Sequence, residues 1–152
     1  MRQLTLATGT FETHRKPAHR EKFLSDMDKV VPWQELCTLI EPFYPRGENG
    51  RPPVGLPRML RITFLQQWFN LSDPGAEEAL YESVSMCRLA GIAFGREPVP
   101  DETTILKFRH LLETHHLGKK LFRQVHRHLE SQGIKVTSST INVQARRVVR
   151  RC

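Results

Sequence analysis

The sequence predicts an all-α fold: a compact bundle of five or six helices with a helix-turn-helix-like pair near the C-terminus, followed by a short orphan β-strand and a disordered tail. Three observations predict this fold. Apolar residues recur at helical spacing over most of the chain. Capping residues, prolines and glycines mark where successive helices begin and end. A hydrophobic content of 39% in 152 residues is sufficient for one core.

The N-terminal part predicts a basic arm and then two helices. Residues 1–20 mix Thr, Arg, Lys and His with little periodicity, so we interpret them as a flexible cationic arm. A helix begins near Glu21. A second helix extends from Pro32, a residue suited to the first helical turn, to about Phe43.

The middle of the chain predicts a loop and two further helices. Residues 42–53 contain too many prolines and glycines for regular structure. From Leu56 to Leu71, apolar side chains project in nearly every direction around the helix, which is typical of the buried centre of a bundle. Ser72 and Pro74 then form a helix start, and this helix extends to about Met86.

The C-terminal third predicts two helices and a strand. Asp101 can cap a helix over residues 102–114, and a last helix over residues 117–132 ends at Gly133. The short turn between them resembles a helix-turn-helix loosely, because spacing does not fix the crossing angle. The β-branched run after Gly133 predicts a strand, which has no partner strand within this sequence.

The positive charge of the chain is concentrated in its last third. Residues 1–103 contain 12 Lys and Arg against 14 Asp and Glu, whereas residues 104–152 contain 11 against 2. A basic surface favours polyanionic partners, although charge alone does not establish a chemistry. The basic surface is therefore expected in the last third of the chain, which includes the last two predicted helices.

The last predicted helix has a row of cations on one side. At 100° per residue, Lys119, Arg123 and Arg127 share a face, and Lys120 adjoins it. Leu117, Leu121, Phe122, Val125 and Leu129 occupy the opposite side. Cations on a rigid helix suit phosphate neutralisation on double-stranded DNA, and the alternative is an ordinary solvated helix face.

Further candidate DNA contacts lie on the preceding helix and in the loop. Lys107 and His110 are on its outward side and Arg109 is on a flank, where they could reach bases or phosphates. Thr103 offers either a further contact or support for the helix start. Arg51 could enter a narrow minor groove, or its Pro-rich surroundings could be only a stiff interhelical loop.

The sequence contains no recognised catalytic or metal-binding motif. The seven histidines lack the accompanying Cys or carboxylate spacing of a metal site, so no cofactor is predicted. Three cysteines without close pairing predict reduced thiols. The absence of a signal peptide and of a long apolar run predicts a cytoplasmic protein that does not associate with membranes.

The combined motifs resemble a known family. The chain reads M-R-Q-L-T-L, G-E-N-G-R-P-P-V-G-L, M-L-R-I-T-F-L-Q-Q-W-F-N-L-S-D, P-D-E-T-T-I-L-K-F-R-H-L-L-E and L-E-S-Q-G-I-K-V. Over residues 1–136 it resembles the N-terminal region of the IS-five family of bacterial transposases. The resemblance implies that residues 21–133 form a helical DNA-binding domain for the terminal inverted repeats of the element, with homo-oligomers as a further expectation.

The resemblance also implies what should follow this domain. Family members continue into an RNase H-like domain with three acidic residues and Mg²⁺, beginning with a strand of approximate sequence G-T-I-V-D-A-T. Matching Thr140 and Ile141 places Val143 where the first Asp should be, and valine cannot bind a metal. Residues 134–152 are therefore expected to be the start of a lost catalytic domain and then a frameshifted arginine-rich tail.

Three hypotheses follow from this resemblance. The first is a truncated transposase without catalytic activity that still binds DNA at the element ends. The second is a regulatory fragment that inhibits full-length transposase through mixed oligomers. The third is the first part of an active transposase completed by programmed frameshifting, for which Mg²⁺ would be required.

Overall fold

Seven α-helices and no strand are found in the computed structural model, which describes residues 19–47, 50 and 52–133. The helices, numbered in chain order, are α1 His19–Val30, α2 Trp33–Ile40, α3 Leu56–Phe69, α4 Asp73–Glu82, α5 Val84–Ala90, α6 Glu102–Thr114 and α7 Leu117–Ser131. This arrangement confirms the all-α fold. Residues 1–18 of the predicted arm, the expected strand and the tail lie outside the described residues. The last two residues of the predicted arm, His19 and Arg20, are instead the first two residues of α1.

Helix α3 forms the centre of the bundle, as its all-round apolar pattern predicts. Its buried side chains are Leu56, Met59, Leu60, Ile62, Phe64, Leu65 and Trp68. Helices α2, α4, α5 and α6 all pack against it. Burial of apolar surface at about 25 cal/mol per Å² makes this core the main source of stability.

Two predicted helix starts are confirmed by side-chain caps. The Oγ of Ser72 accepts a hydrogen bond from the Gly75 N–H at 3.0 Å. The Oδ1 of Asp101 accepts one from the Thr104 N–H at 2.8 Å. Each cap satisfies a backbone donor that the first helical turn leaves without a partner, which stabilises the helix by about 1 kcal/mol.

The predicted single helix from residue 73 to about residue 86 is two helices. The described residues therefore contain seven helices, one more than the upper predicted number. Ser83 has an extended backbone, with φ −107° and ψ 112°. Its Oγ accepts from the Met86 N–H at 3.3 Å and so caps a new helix, α5. Serine allows this interruption because its hydroxyl accepts the hydrogen bond of the Met86 N–H, which has no helical carbonyl to bond.

The second predicted helix is also shorter than expected. Helix α2 ends at Ile40, and residues Glu41–Phe43 form one turn of 3-10 helix. Pro42 lacks the N–H that an α-helix would require at that position. The α-helix therefore ends three residues before its predicted end, and a narrower 3-10 turn follows it.

Helices α6 and α7 are in contact and are joined by a turn of two histidines. His116 adopts a left-handed backbone with φ 52°, which lets the chain reverse between the helices. Helix α7 also packs on α2, and its buried side chains are Leu117, Leu121 and Leu129. Phe122, which helical spacing places on the same apolar side, remains 40% exposed.

Candidate nucleic-acid interface

Four cations on α7 are exposed and have no partner within the described part of the chain. They are Lys119, Lys120, Arg123 and Arg127. None of them forms an ion pair or a hydrogen bond with another described residue. We call these four residues the α7 basic face. Their charges are available to an external anion because no carboxylate of the described residues neutralises them.

The α7 basic face is held on a well-anchored helix. Leu117 is completely buried and Leu121 nearly so, on the side of α7 that meets the bundle. The Gln124 side chain donates a hydrogen bond of 2.7 Å to Glu35 of α2. The cations are therefore displayed at fixed spacings on a rigid support, as phosphate contacts require.

Three arginines elsewhere in the bundle pair with carboxylates on other helices or loops. Arg58 pairs with Glu97 at 2.8 Å, and Arg88 pairs with Glu21 at 3.0 Å. Arg61 pairs with the Asp28 carboxylate and donates to the Leu89 carbonyl. These side chains have internal electrostatic partners. The α7 basic face differs from these three arginines, whose charges are already paired within the bundle.

Arg109 differs from the other candidate DNA contacts that the structure describes, because it has internal ion-pair partners. Its guanidinium lies 2.7 Å from the carboxylate of Asp73 on α4, which is only 13% exposed, and 3.7 Å from Glu113. A hydrogen bond to a largely buried carboxylate is charge-assisted and stronger than a surface ion pair. The structure thus places Arg109 in the contact between α4 and α6.

Lys107 and His110 are exposed on α6 and have no ion pair among the described residues. Thr103 is exposed as well. These positions agree with the outward side that helical spacing predicts for them. Arg51, the predicted minor-groove contact, lies outside the described residues, as does Val143.

A groove of about 700 Å³ lies between α3, α6 and α7, with one end of the α7 basic face on its rim. Its apolar walls come from Phe64, Leu112, Leu121, Phe122 and Val125. Its charged rim comes from Arg109, Glu113, Lys119 and Arg123. Helical periodicity did not reveal this groove, because it cannot show that the space beside Phe122 is unfilled.

The described residues provide no metal centre and no reactive thiol. No group of three or more His, Cys, Asp or Glu side chains in this part of the chain could hold a metal ion. The Mg²⁺ site that the resemblance associates with the catalytic domain belongs to the part of the family's sequence that follows residue 133, outside the described residues. Burial raises the pKa of the thiols of Cys37 and Cys87, so both stay protonated at neutral pH.

No helix within the described ranges combines the length and the apolar character needed to cross a membrane.

Comparison with known proteins gives one family match. A model of the family described as Transposase domain (DUF772) matches residues 11–111, from before α1 to the last turn of α6. The matched region includes Lys107, Arg109 and His110, whereas the α7 basic face follows it in the chain. No solved structure matches the chain. Because the family model covers more than half of the sequence, the protein belongs to the DUF772 transposase domain family.

Proposed function

We propose that this domain binds double-stranded DNA during transposition and that the α7 basic face neutralises phosphates of the DNA backbone. The observation that carries the proposal is the set of four exposed cations without partners in the described chain, on one anchored helix. Membership in a transposase family supports DNA as the polyanion. The proposed role is binding, and no catalytic step is assigned to the described residues.

The spacing along α7 suits a phosphate backbone. Lys119 and Arg127 are eight residues apart, which corresponds to about 12 Å along a helix that rises 1.5 Å per residue. Double-stranded DNA carries one negative charge per about 1.7 Å of its axis. Several phosphates are therefore within reach of the face at once, and the contacts would be strongly salt-dependent.

Sequence selectivity is proposed to come from α6. Lys107 and His110 are exposed on the helix that precedes α7 and could donate hydrogen bonds to base edges in the major groove. Arg51, beside the Pro-rich segment, is proposed as an additional groove contact. The target that best agrees with the sequence resemblance is the terminal inverted repeat of the parent insertion sequence.

A binding assay with matched variants tests this function. Fluorescence anisotropy with labelled duplex DNA compares the wild type with a variant in which Lys119, Lys120, Arg123 and Arg127 are all replaced by Gln. The control replaces four other exposed cations by Gln: Lys22, Lys29, Arg46 and Arg96. Both variants lose four positive charges, so a difference in their DNA affinities depends on where the charges lie and not on the net charge.

We expect the α7 variant to lose about 100-fold or more in affinity at low salt, because each phosphate contact contributes substantially there. The control should bind within a few-fold of the wild type. Equal losses in both variants would reduce the proposal to non-specific charge attraction. Wild-type protein that binds no duplex at low salt would refute DNA binding.

A second comparison tests the target. Inverted-repeat DNA of the parent element and a scrambled duplex of the same composition are titrated with the wild type and with Lys107→Gln. We expect a preference for the inverted repeat that Lys107→Gln reduces by roughly tenfold, as a lost base contact would. Equal wild-type binding to both duplexes would exclude sequence recognition by this domain.

A further inference from the structure

The groove between α3, α6 and α7 leaves a large aromatic side chain accessible. Phe122 is 40% exposed and lies beside Val125 and Leu112 on the apolar walls. A concave apolar surface of this kind on a folded domain commonly receives a side chain from a partner. DNA phosphates do not suit it, because its walls present carbon rather than hydrogen-bond donors.

The charges on the rim of the groove favour a carboxylate-bearing partner. Glu113 lies beside Arg109, which also pairs with Asp73, so these groups offset one another. Lys119 and Arg123 have no such partners among the described residues. The groove therefore suits an aromatic or aliphatic side chain flanked by acidic groups.

The chain itself presents such a surface on α4. Tyr81 is 60% exposed, and Glu78 and Glu82 are exposed on either side of it in the sequence. Neither glutamate forms an ion pair within the described ranges. Carboxylates four residues apart on a helix repel each other, so cations facing them would offset this repulsion.

We propose that α4 of a second copy of this chain docks into the groove, with Tyr81 against Phe122 and the two glutamates near Lys119 and Arg123. The two surfaces adjoin the same helix, since α4 packs on α6 and α6 forms one wall of the groove. In a two-fold dimer this contact would form twice, because each copy carries both surfaces. The proposal rests on the groove and on α4. Because Lys119 and Arg123 also belong to the α7 basic face, a docked α4 would compete with DNA for these two cations.

Sedimentation velocity of the full chain over a series of protein concentrations, without DNA, tests the contact. We expect reversible self-association that Tyr81→Ser weakens by about tenfold or more, as truncation of a central aromatic contact does. A double reversal, Lys119→Glu with Arg123→Glu, should also weaken it. The matched control, Lys120→Glu with Arg127→Glu, changes the same net charge on the same helix outside the groove and should leave association unchanged.

A charge exchange guards against variants that merely misfold. The double variant Glu78→Lys with Glu82→Lys should weaken association when it is made alone. When it is combined with Lys119→Glu and Arg123→Glu, association should be restored. A failure to restore association in the combined variant, with wild-type helicity by circular dichroism, would overturn the proposal. So would a wild type that stays monomeric at every concentration. Crosslinks from the groove to residues 134–152 of the same molecule would assign the groove to that segment and would also overturn it.

Discussion

Replacing Leu117 by Ala should destabilise the domain much more than replacing Phe122 by Ala, although Phe122 is the larger side chain. The helical pattern of α7 places both residues on the apolar side, whereas the structure separates them. Leu117 is 0% exposed, and Phe122 is 40% exposed at the groove. The pair therefore tests whether α7 packs in the orientation that also displays its basic face.

The expected magnitudes follow from burial. Truncation of a fully buried leucine removes transfer free energy and leaves a cavity, which together cost about 2–5 kcal/mol. At Phe122 no closed cavity forms, because the side chain already borders an open groove. The lost contacts there are expected to cost about 1 kcal/mol. Since a domain of this size is stable by about 5–15 kcal/mol, Leu117→Ala should still fold, with a clearly lower free energy of unfolding.

Urea denaturation followed by circular dichroism measures both variants. Protein concentrations should be kept below any self-association, because a dimer would add apparent stability through mass action. We expect Leu117→Ala to lower the free energy of unfolding at least twofold more than Phe122→Ala does. Equal losses would mean that Phe122 is a core residue and that the orientation of α7, and with it the basic face, is wrong.

Further predictions concern a cap, an ion pair and a thiol. Asp101→Ala should lower the free energy of unfolding by about 1 kcal/mol through loss of the hydrogen bond to Thr104, measured by the same denaturation; no change would contradict the cap. Arg109→Gln should lower the free energy of unfolding, because it leaves the largely buried carboxylate of Asp73 without its partner, and it should change DNA affinity little. Lys107→Gln should lower DNA affinity and leave the free energy of unfolding nearly unchanged. Because burial raises the pKa of Cys87, its alkylation by iodoacetamide, followed by mass spectrometry, should be slow at neutral pH and should accelerate only above the pH at which an exposed thiol reacts. Rapid labelling at neutral pH would contradict this burial.

Local patterns in the sequence were sufficient for much of the fold. The central helix α3 was predictable because apolar residues surround it, a pattern that only a buried helix can accommodate. The caps at Ser72 and Asp101 were predictable because each side chain bonds to an N–H three residues ahead. The break at Ser83 was not, because serine within a helical pattern has no fixed outcome and Pro and Gly are absent there.

The candidate site was only partly predictable, for reasons of long-range contact. The exposure of the α7 basic face follows from helical periodicity and was expected. The pairing of Arg109 depends on Asp73, which lies 36 residues earlier in the chain, so no local pattern could reveal it. The groove beside Phe122 depends on how α3, α6 and α7 meet in space. Helix spacing gives the face of a residue but not what the neighbouring helices leave open.

The salt dependence of DNA binding shows whether the α7 basic face contacts DNA phosphates. The slope of the logarithm of affinity against the logarithm of salt concentration reports the number of neutralised phosphates, at about 0.9 per contact. If the α7 basic face makes these contacts, replacing Lys119, Lys120, Arg123 and Arg127 by Gln should lower the magnitude of the slope by about 3 to 4. The Gln variant of Lys22, Lys29, Arg46 and Arg96 should keep the wild-type slope. A wild-type slope in the α7 variant would contradict the assignment of DNA binding to this face.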